Sequence, residues 1–408
     1  MMDICYAIAD EKGTYSKFLG TSLWSLCERH GAKDLHIHLL HDGSLREKEK
    51  LRFRQAAMHF GQQLSFYNVE VLAAAELDYL RQELPQAGVS RYTYAAFYRL
   101  LAARLLPREV KRFIYFDADT VIHMDIANLC QINLEGYPLA AVAEYDEVGY
   151  PADNLMVAAG WMDGKAYFNS GVLLVDREKF LAQGDILRAG IKRLKQLEGF
   201  VFYDQDILNA YFANGYKHLN IAYNAFVPAL QYRKIQQLVP AVYHYDAGSL
   251  GLREDDVYDR LFYTVFSQTP WCDEDFLYRC FAQMERQYDI DLELARQVFS
   301  VASQRQRIFC ANEASQKAIQ ELFHFGGKDR YLTMRSDMDW AGRLCQYERV
   351  SPAGRRLYIL FTGQYEKIKQ ELLAAGWQEG QDFMDGRLLL PAECGGHLFR
   401  SPALIRNL

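Results

Sequence analysis

Short apolar runs alternate with longer amphipathic stretches through the first third of the chain. The short runs have the pattern of strands, whereas the longer stretches repeat apolar residues every three or four positions, as helices do. Strands are predicted at 3–9, 35–40, 63–67 and 112–116, and helices at 16–29, 45–60 and 94–105. This alternation predicts an α/β fold with a mostly parallel sheet that is covered by helices on both faces.

The same pattern continues along the chain and changes near residue 270. Further strands are predicted at 139–143 and 171–175, and further helices at 205–213 and 276–286. A second α/β series then follows, with strands at 307–310 and 356–361 and helices at 314–323 and 365–375. We expect a first domain of residues 1–285 and a smaller, Rossmann-like unit of residues 286–408. Because no glycine-rich loop follows the first strand of the smaller unit, a structural or docking role is favoured over nucleotide binding.

Charge and cysteine usage narrow the function classes. The net charge of −6 argues against a protein whose main role is to bind nucleic acid or an anionic membrane. The acidic N-terminus does not resemble a secretory signal, and no run of about 18 apolar residues could cross a membrane. The eight cysteines lack metal-ligand spacing and predict buried free thiols. We expect a cytoplasmic protein, with peripheral contact at the inner face of a bacterial membrane left open.

Three histidines, His36, His38 and His41, fall in one predicted strand. Because successive side chains of a strand point to opposite faces, His36 and His38 share one face and the leucine and isoleucine residues around them share the other. This alternation predicts a solvated strand face rather than a metal site.

The sharpest local signal is the apolar strand 112–116, which ends in Asp117-Ala118-Asp119. In extended backbone, alternate side chains share a face, so both carboxylates are expected to point the same way. Carboxylate oxygens are ligands that suit Mg²⁺ or Mn²⁺. The pair therefore predicts a divalent-metal site at a strand end.

Several other segments accompany this acid pair. They read FYRLLAARLLP at 97–107, YFNSGVLLV at 167–175, YDQDILN at 203–209 and YHY at 243–245. In this order the segments closely resemble family 8 glycosyltransferases, the retaining group that includes bacterial lipopolysaccharide glucosyl- and galactosyltransferases and glycogenin. The resemblance covers residues 2 to about 270. It implies a nucleotide-diphospho-sugar transferase domain of the GT-A type and a UDP-sugar donor.

The resemblance also implies roles for individual residues. Asp117, Asp119 and His244 are the implied metal ligands, and an imidazole among them favours Mn²⁺ over Mg²⁺. Gln205, beneath the anomeric carbon, and Asp204 beside it are the implied catalytic residues. The implied donor-binding residues are Ala7, Ala9, Asp10, Glu11, Tyr15, Arg99, Asp117, Ala118, Glu144, Asn169, Asp204, Gln205, Gly248 and Gly251.

One element of the family pattern is missing. Relatives usually carry a glycine and then Lys-Pro-Trp soon after the histidine, and the lysine meets the diphosphate, but the stretch from His244 to Arg253 contains no lysine here. Backbone N–H groups at Gly248 and Gly251 could approach phosphate instead, and Arg253 is a second candidate. The missing lysine leaves open a non-catalytic sugar-nucleotide binder.

The sequence thus favours metal-dependent, retaining transfer of a hexose from UDP-glucose or UDP-galactose to a carbohydrate or lipid-linked glycan acceptor. A haloacid-dehalogenase-type phosphatase is the alternative from another reaction class, because residues 117–120 also fit its DxDxT motif, with Asp117 as nucleophile. That motif is usually followed by glycine, whereas Val121 follows here, and no later Gly-Asp pair follows a strand.

Overall fold

The computed structural model describes residues 1–30, 34–88, 93–144, 155–196, 203–212, 215–246, 250–251, 255–282, 306–323, 328–335, 338–350 and 356–389. Backbone contacts divide the chain into two compact units, with the division between Leu277 and Tyr278.

The first unit contains ten described strands in two sheets. They are β1 (Met2–Ile8), β2 (Leu35–His41), β3 (Gln63–Asn68), β4 (Arg112–Phe116), β5 (Thr120–Ile122), β6 (Leu139–Ala143), β7 (Phe168–Asp176), β8 (Lys217–His218), β9 (Ala225–Phe226) and β10 (Val242–His244). Seven of them form one sheet in the order β3-β2-β1-β4-β7-β6-β8. Only β7 runs against its neighbours, β4 and β6, so the mostly parallel sheet is confirmed.

A smaller sheet has the order β5-β10-β9. β10 lies antiparallel to β5, and His244 is the register partner of Thr120. Thr120 directly follows the turn that carries the acid pair. The small sheet therefore brings a histidine from far along the chain to the end of β4.

Helices cover both faces of the large sheet, as predicted. They are α1 (Ser16–His30), α2 (Glu47–His59), α3 (Val69–Leu72), α4 (Ala74–Glu83), α5 (Tyr98–Leu105), α6 (Ala127–Gln131), α7 (Leu155–Ala158), α8 (Arg177–Leu181), α9 (Ile186–Leu194), α10 (Tyr203–Phe212), α11 (Val227–Tyr232) and α12 (Val257–Phe266). One core cluster joins α4, α5, α9 and α10 to one sheet face. On the opposite face, Tyr6 of β1 and Ser22 of α1 share a hydrogen bond of 3.1 Å. Residues 274–282 are also helical.

The histidine strand differs from its prediction. On the face that was predicted to be solvated, His38 is fully buried and His36 is half-buried, so the prediction of a solvated face is wrong. β2 lies between β1 and β3, and helices cover the face that the alternation rule assigned to solvent. The buried His38 is accommodated because both of its ring nitrogens have polar partners, Tyr67 and Asp3.

The second unit is a small parallel α/β structure. Its strands are β11 (Gln306–Ala311), β12 (Arg330–Thr333), β13 (Arg356–Leu360) and β14 (Phe383–Asp385), and its helices are α13 (Gln316–Phe323), α14 (Trp340–Val350) and α15 (Tyr365–Ala374). The sheet order is β12-β11-β13-β14, and all pairs are parallel. Apolar side chains such as Ile308, Leu344 and Leu360 form its core.

All seven cysteines among the described residues have free thiols; Cys394 lies outside them. Cys5, Cys27 and Cys310 are buried as predicted, whereas the other four are half-buried. Among the described residues, no helix is both long and apolar enough to cross a membrane.

Candidate active site

The acid pair lies in a turn and not in extended backbone. β4 ends at Phe116 and β5 begins at Thr120, so the intervening residues reverse the chain between the two strands. The N–H of Asp117 donates to the carbonyl of Gly171 (2.7 Å), and the Thr120 hydroxyl donates to the carbonyl of Asp117 (2.9 Å). The expected convergence of the two carboxylates is present, but the turn produces it, and the predicted strand alternation does not.

His244 completes a cluster with the two acids. Its Nε2 lies 3.4 Å from Asp119 Oδ1 and 3.7 Å from Asp117 Oδ2, and the three candidate ligand atoms all lie within 4.8 Å of one another. Its other ring nitrogen, Nδ1, donates to Asn224 Oδ1 (3.2 Å). Since a neutral imidazole carries one proton, this bond leaves the Nε2 lone pair directed at the acids. The donor set and its outer hydrogen bond fit a divalent metal ion.

The charge balance of the cluster also favours a cation. Burial opposes a proton on His244, but its hydrogen bond with Asp119 and the charges of Asp119 and Asp117 together raise its pKa above the ordinary value. The side chains are largely shielded from water, with exposures of 8% for His244 and 10% for Asp119. Two carboxylates in such a site attract positive charge, which a divalent ion would supply more completely than one proton.

Gly171 of β7 leaves room for this cluster. A Cβ built at Gly171 would lie 2.3 Å from His244 Cε1 and 2.9 Å from Asp117 Oδ2, closer than atoms can approach. The glycine of the 167–175 motif therefore has a steric role that the sequence alone did not identify.

Arg99 joins the cluster of Asp117, Asp119 and His244 to the start of α10. Its guanidinium donates to both oxygens of Asp117 (2.7 and 3.2 Å), and its Nε lies 3.0 Å from Asp204 Oδ2. It also donates to the carbonyl oxygen of Ser170 (2.7 Å). Tyr115 packs beneath the guanidinium and donates its hydroxyl to Asp117. Arg99 is thus a buried connector of two acids, and not a charge on a solvated helix surface.

Gln205 is held in one orientation by three partners. Its Oε1 accepts from the N–H of Ser170 (2.9 Å), and its Nε2 donates to Glu144 Oε2 (3.0 Å) and to the Tyr167 hydroxyl (3.1 Å). Asp204, the residue before it, is 5% exposed. A side-chain amide that is fixed on both sides presents a defined polar edge, which suits a group that positions a substrate.

Two acids beside Gln205 have raised pKa values. Burial raises the pKa of Asp204 to about 6, although the nearby Arg99 guanidinium opposes the change. Burial likewise raises the pKa of Glu144 to about 7, against the effects of His244 and of hydrogen bonds from Asn169 and Gln205. Acids with such shifts cluster at functional sites.

Asn169 belongs to the same polar network. Its Oδ1 accepts from the N–H of Gly171 (2.9 Å) and from Asn224 Nδ2 (2.8 Å). Asn224 is therefore linked to both Asn169 and His244. The side-chain amide of Asn224 therefore orients both Asn169, a candidate donor-binding residue, and His244, a candidate metal ligand.

Only some of the predicted base-binding residues, which lie at the end of β1 and in the loop after it, are close to the acid pair. Asp10 accepts from the N–H groups of Thr14, Tyr15 and Ser16 at distances of 2.7 to 3.0 Å, so its carboxylate organises the start of α1. Tyr15 lies close enough to the acid pair that burial and the charges of Asp119 and Asp117 raise its pKa well above the ordinary value.

The remaining predicted donor contacts differ in their surroundings. Ala7 and Ala118 are buried, Ala9 is half-buried and Glu11 is exposed. The N–H of Gly251 donates to Asp259 Oδ1 (3.2 Å) and is thereby already engaged. Gly248 and Arg253 lie outside the described residues.

Sequence reasoning missed several residues of this network. Ser170, Gly171 and Tyr167 stand within a motif that was identified, so their position was a usable signal. Asn224 had no such signal, because it follows a short helical turn and reaches His244 only through the β9–β10 pairing.

Comparison with known proteins gives a consistent picture. The model of a family described as glycosyl transferase family 8 matches residues 5–249. General stress protein A of Bacillus subtilis is 26% identical over 230 residues, which are 55% of this chain and 74% of that protein. Lipopolysaccharide 1,3-galactosyltransferase of Salmonella typhimurium is 24% identical over 210 residues, which are 50% of this chain and 58% of that enzyme. The chain thus matches less than two thirds of the Salmonella enzyme's length.

Two solved structures share the fold. The galactosyltransferase LgtC in complex with donor and acceptor sugar analogs superposes with a TM-score of 0.53 at 19% identity, covering 67% of this chain and 99% of that chain. The apo structure of the bifunctional glycosyltransferase WbbM gives a TM-score of 0.50 at 18% identity, covering 66% of this chain and 50% of that chain. At these identities the likeness supports the fold and carries no information on substrate.

Proposed function

Because this chain belongs to glycosyl transferase family 8, we propose that it is a metal-dependent, retaining hexosyltransferase that uses a UDP-sugar donor. One observation carries the proposal: Asp117, Asp119 and His244 bring three candidate ligand atoms within 4.8 Å of one another, beside a buried polar network. UDP-glucose and UDP-galactose are the favoured donors, since two relatives of this chain are named as a lipopolysaccharide galactosyltransferase and a lipopolysaccharide glucosyltransferase.

The metal in this proposal is Mn²⁺, with Mg²⁺ as the second choice. The imidazole nitrogen of His244 suits Mn²⁺ better than Mg²⁺, which prefers oxygen ligands. When bound, the ion supplies Lewis-acid stabilisation of the negative charge on the departing diphosphate. Asn224 supports this role by holding the tautomer of His244 that exposes Nε2.

The polar network is proposed to hold the donor sugar. Gln205, fixed by Ser170, Glu144 and Tyr167, would lie beneath the anomeric carbon. Asp204 would contact the sugar beside it. Their fixed orientation reduces the reorganisation needed when the glycosidic bond breaks.

Arg99, Asn169 and Glu144 complete the proposed sugar site, and Ala118 would lie against the nucleotide. At the base-binding end we propose Ala7, Ala9, Glu11 and Tyr15. We propose Asp10 there as well, and the four hydrogen bonds that its carboxylate accepts hold the loop after β1 in shape.

Family membership removes the phosphatase alternative. In that reaction Asp117 would attack phosphorus, but here both of its oxygens accept hydrogen bonds from Arg99 and one also accepts from Tyr115. A carboxylate engaged in this way is a poor nucleophile. The non-catalytic binder stays as the alternative that an experiment must separate.

We propose a carbohydrate or lipid-linked glycan as the acceptor, on the strength of the lipopolysaccharide enzymes among the relatives. Contact with the inner face of a bacterial membrane would follow from a lipid-linked acceptor. We further propose residues 1–285 as the catalytic domain and residues 286–408 as a unit with a structural or docking role.

The decisive experiment measures slow donor hydrolysis by UDP release. The full chain is stripped of metal and then incubated with UDP-glucose, UDP-galactose and their N-acetyl forms, each with and without Mn²⁺. We expect UDP release with one hexose donor and only when Mn²⁺ is added. Analysis of the released or transferred sugar by NMR would then show the α anomer retained.

A flat response across all four donors would contradict the proposal. Tight, Mn²⁺-dependent binding of a UDP-sugar without UDP release, even after addition of glycan acceptors, would instead favour the non-catalytic binder.

A further inference from the structure

A second carboxylate–histidine cluster lies at the opposite end of the large sheet. Asp3 is the second residue of β1 and His36 the second residue of β2, and the two are register partners. His38 follows two positions later on the same face. The cluster therefore sits at the amino ends of parallel strands, whereas the candidate active site sits at their carboxyl ends.

The ligand atoms of this cluster converge. Asp3 Oδ1 lies 3.0 Å from His38 Nε2 and 3.9 Å from His36 Nδ1, and the two imidazole rings have centroids 4.0 Å apart. Two ligand atoms on a tetrahedral Zn²⁺ lie about 3.3 Å apart, given Zn–N bonds of about 2.0 to 2.1 Å. The observed separations bracket this value, so small side-chain shifts would accommodate the ion.

Each histidine is also oriented by a hydroxyl on β3. His38 Nδ1 lies 2.9 Å from the Tyr67 hydroxyl, and His36 Nε2 lies 2.8 Å from the Ser65 hydroxyl. In metal sites the nitrogen that does not bind the ion has such a partner, which fixes the ring and its tautomer. Here the outward nitrogens are engaged, and the inward ones both face Asp3.

The charge of Asp3 has no strong cationic partner. Among the described residues, neither a lysine nor an arginine forms an ion pair with Asp3, and its neighbours are the two imidazoles. Two protons on adjacent rings would repel, whereas one divalent ion would satisfy all three groups.

The cluster is accessible from one side. His38 is fully buried, but the side chains of His36 and Asp3 are 18% and 16% exposed, which provides a route for an ion. We propose that Asp3, His36 and His38 form a second metal site that binds Zn²⁺. Two nitrogen ligands and one carboxylate match the preference of Zn²⁺, and the fourth position would be taken by water.

The test measures Zn²⁺ bound by the full chain after equilibration with a competing chelator. Asp119→Ala is used as the parent, so that the candidate active site does not contribute a second equivalent. We expect one tightly bound Zn²⁺ in this parent. Co²⁺ in its place should give the visible absorption of a tetrahedral site.

His36→Ala in that parent should weaken Zn²⁺ binding by more than about 100-fold, since loss of an outer partner alone costs about 10 to 100-fold. Tyr67→Phe removes only the hydroxyl group that contacts His38 Nδ1, and it should weaken Zn²⁺ binding by about 10 to 100-fold in a folded protein. His59→Ala, an exposed histidine at the end of α2, is the matched control and should leave binding unchanged.

Equal Zn²⁺ affinity in the parent and in folded His36→Ala would overturn the proposal, as would the absence of a tight equivalent from the parent. His36→Ala in the otherwise unchanged chain should leave Mn²⁺-dependent UDP release unaltered, because the cluster lies at the other end of the strands.

Discussion

The two carboxylate–histidine clusters of the first unit are built in different ways. The active-site cluster joins a turn after β4 to a histidine more than a hundred residues later, and it contains two acids and one imidazole. The Asp3 cluster joins neighbouring strands and contains one acid and two imidazoles. The two clusters therefore favour different metal ions. A site with more oxygen ligands favours Mn²⁺ or Mg²⁺, whereas a site with more nitrogen ligands favours Zn²⁺.

Their surroundings differ as well. At the candidate active site, Asp117 is tied to Arg99, which extends the network to Asp204. Among the described residues, Asp3 has no arginine or lysine partner and contacts His36 and His38 of the neighbouring strand. A site that must bind and release a charged substrate needs groups beyond the metal ligands, and the network through Arg99 provides such groups near Asp117.

The substitution with the largest expected effect distinguishes the roles of the two clusters directly. Asp119→Ala removes a proposed metal ligand at the carboxyl ends of the strands and should lower Mn²⁺-dependent UDP release by at least about 100 to 1000-fold, the cost of losing one electrostatic group in a preorganised site. Zn²⁺ bound at the Asp3 cluster should remain.

The control is Asp78→Ala, an exposed acid on α4 whose loss should leave UDP release unchanged. Undiminished turnover in a folded Asp119→Ala protein would contradict the assignment of this residue as a metal ligand.

The substitution with the next largest expected effect tests the link that Arg99 makes between Asp117 and Asp204. Arg99→Lys keeps the charge but cannot reproduce the contacts with Asp117, Asp204 and Ser170. Breaking such a buried network should lower the free energy of unfolding by about 3 kcal/mol and weaken donor turnover in parallel. Urea unfolding and UDP release would measure the two effects.

Arg104→Lys on the same helix is the matched control. Arg104 is 50% exposed and pairs with Glu76, so its replacement should change stability by less than about 0.5 kcal/mol. Equal effects of the two substitutions would show that Arg99 does not hold the network together.

Much of the site was predictable because motifs encode it. Asp117, Asp119 and His244 were identified from their segments, and they do converge. The strand pairing that brings His244 to the two acids was not predictable, because periodicity indicates strands but not which strands pair. The β10–β5 pairing depends on contacts across more than a hundred residues, and Asn224 enters the site only through it.

The error at His38 has a different physical origin. Alternation in β2 correctly separated the two faces, but it could not tell that helices cover both of them. An alternating pattern normally indicates one wet face. Here the polar residues of the second face, Asp3, Ser65 and Tyr67, are half-buried and hydrogen bond to His36 and His38, and His38 is fully buried among them.

A smaller effect tests how tightly the active-site cluster is packed. Gly171→Ala would place a methyl group 2.3 Å from His244 Cε1, so the imidazole must move away from the acids. We expect a stability loss of about 2 kcal/mol from overpacking and weaker Mn²⁺ activation of UDP release. Thermal unfolding and a Mn²⁺ titration would measure these changes.

Gly43→Ala is the control, because nothing lies within 4 Å of the added methyl group. If Gly171→Ala shifted only stability and left the Mn²⁺ titration unchanged, His244 would not be a ligand.

The smallest expected effect is the contribution of Glu144 to the pH dependence of stability in the metal-depleted protein. Its ordinary pKa of 4.5 rises to about 7 in the folded chain through burial, so between these values the folded state binds more protons than the unfolded state. Stability must therefore fall as pH rises from about 4.5 to 7. Asp204 acts in the same direction up to its pKa of about 6.

Glu144→Gln mimics the protonated acid and still accepts the hydrogen bond from Gln205. The variant should match the original chain near pH 4.5 and exceed its free energy of unfolding by about 1 kcal/mol at pH 8, allowing for partial screening by solvent. Urea unfolding at the two pH values would measure the difference. A variant that is equally stable or less stable at pH 8 would mean that Glu144 is ionised without cost, and would remove it from the buried network around Gln205.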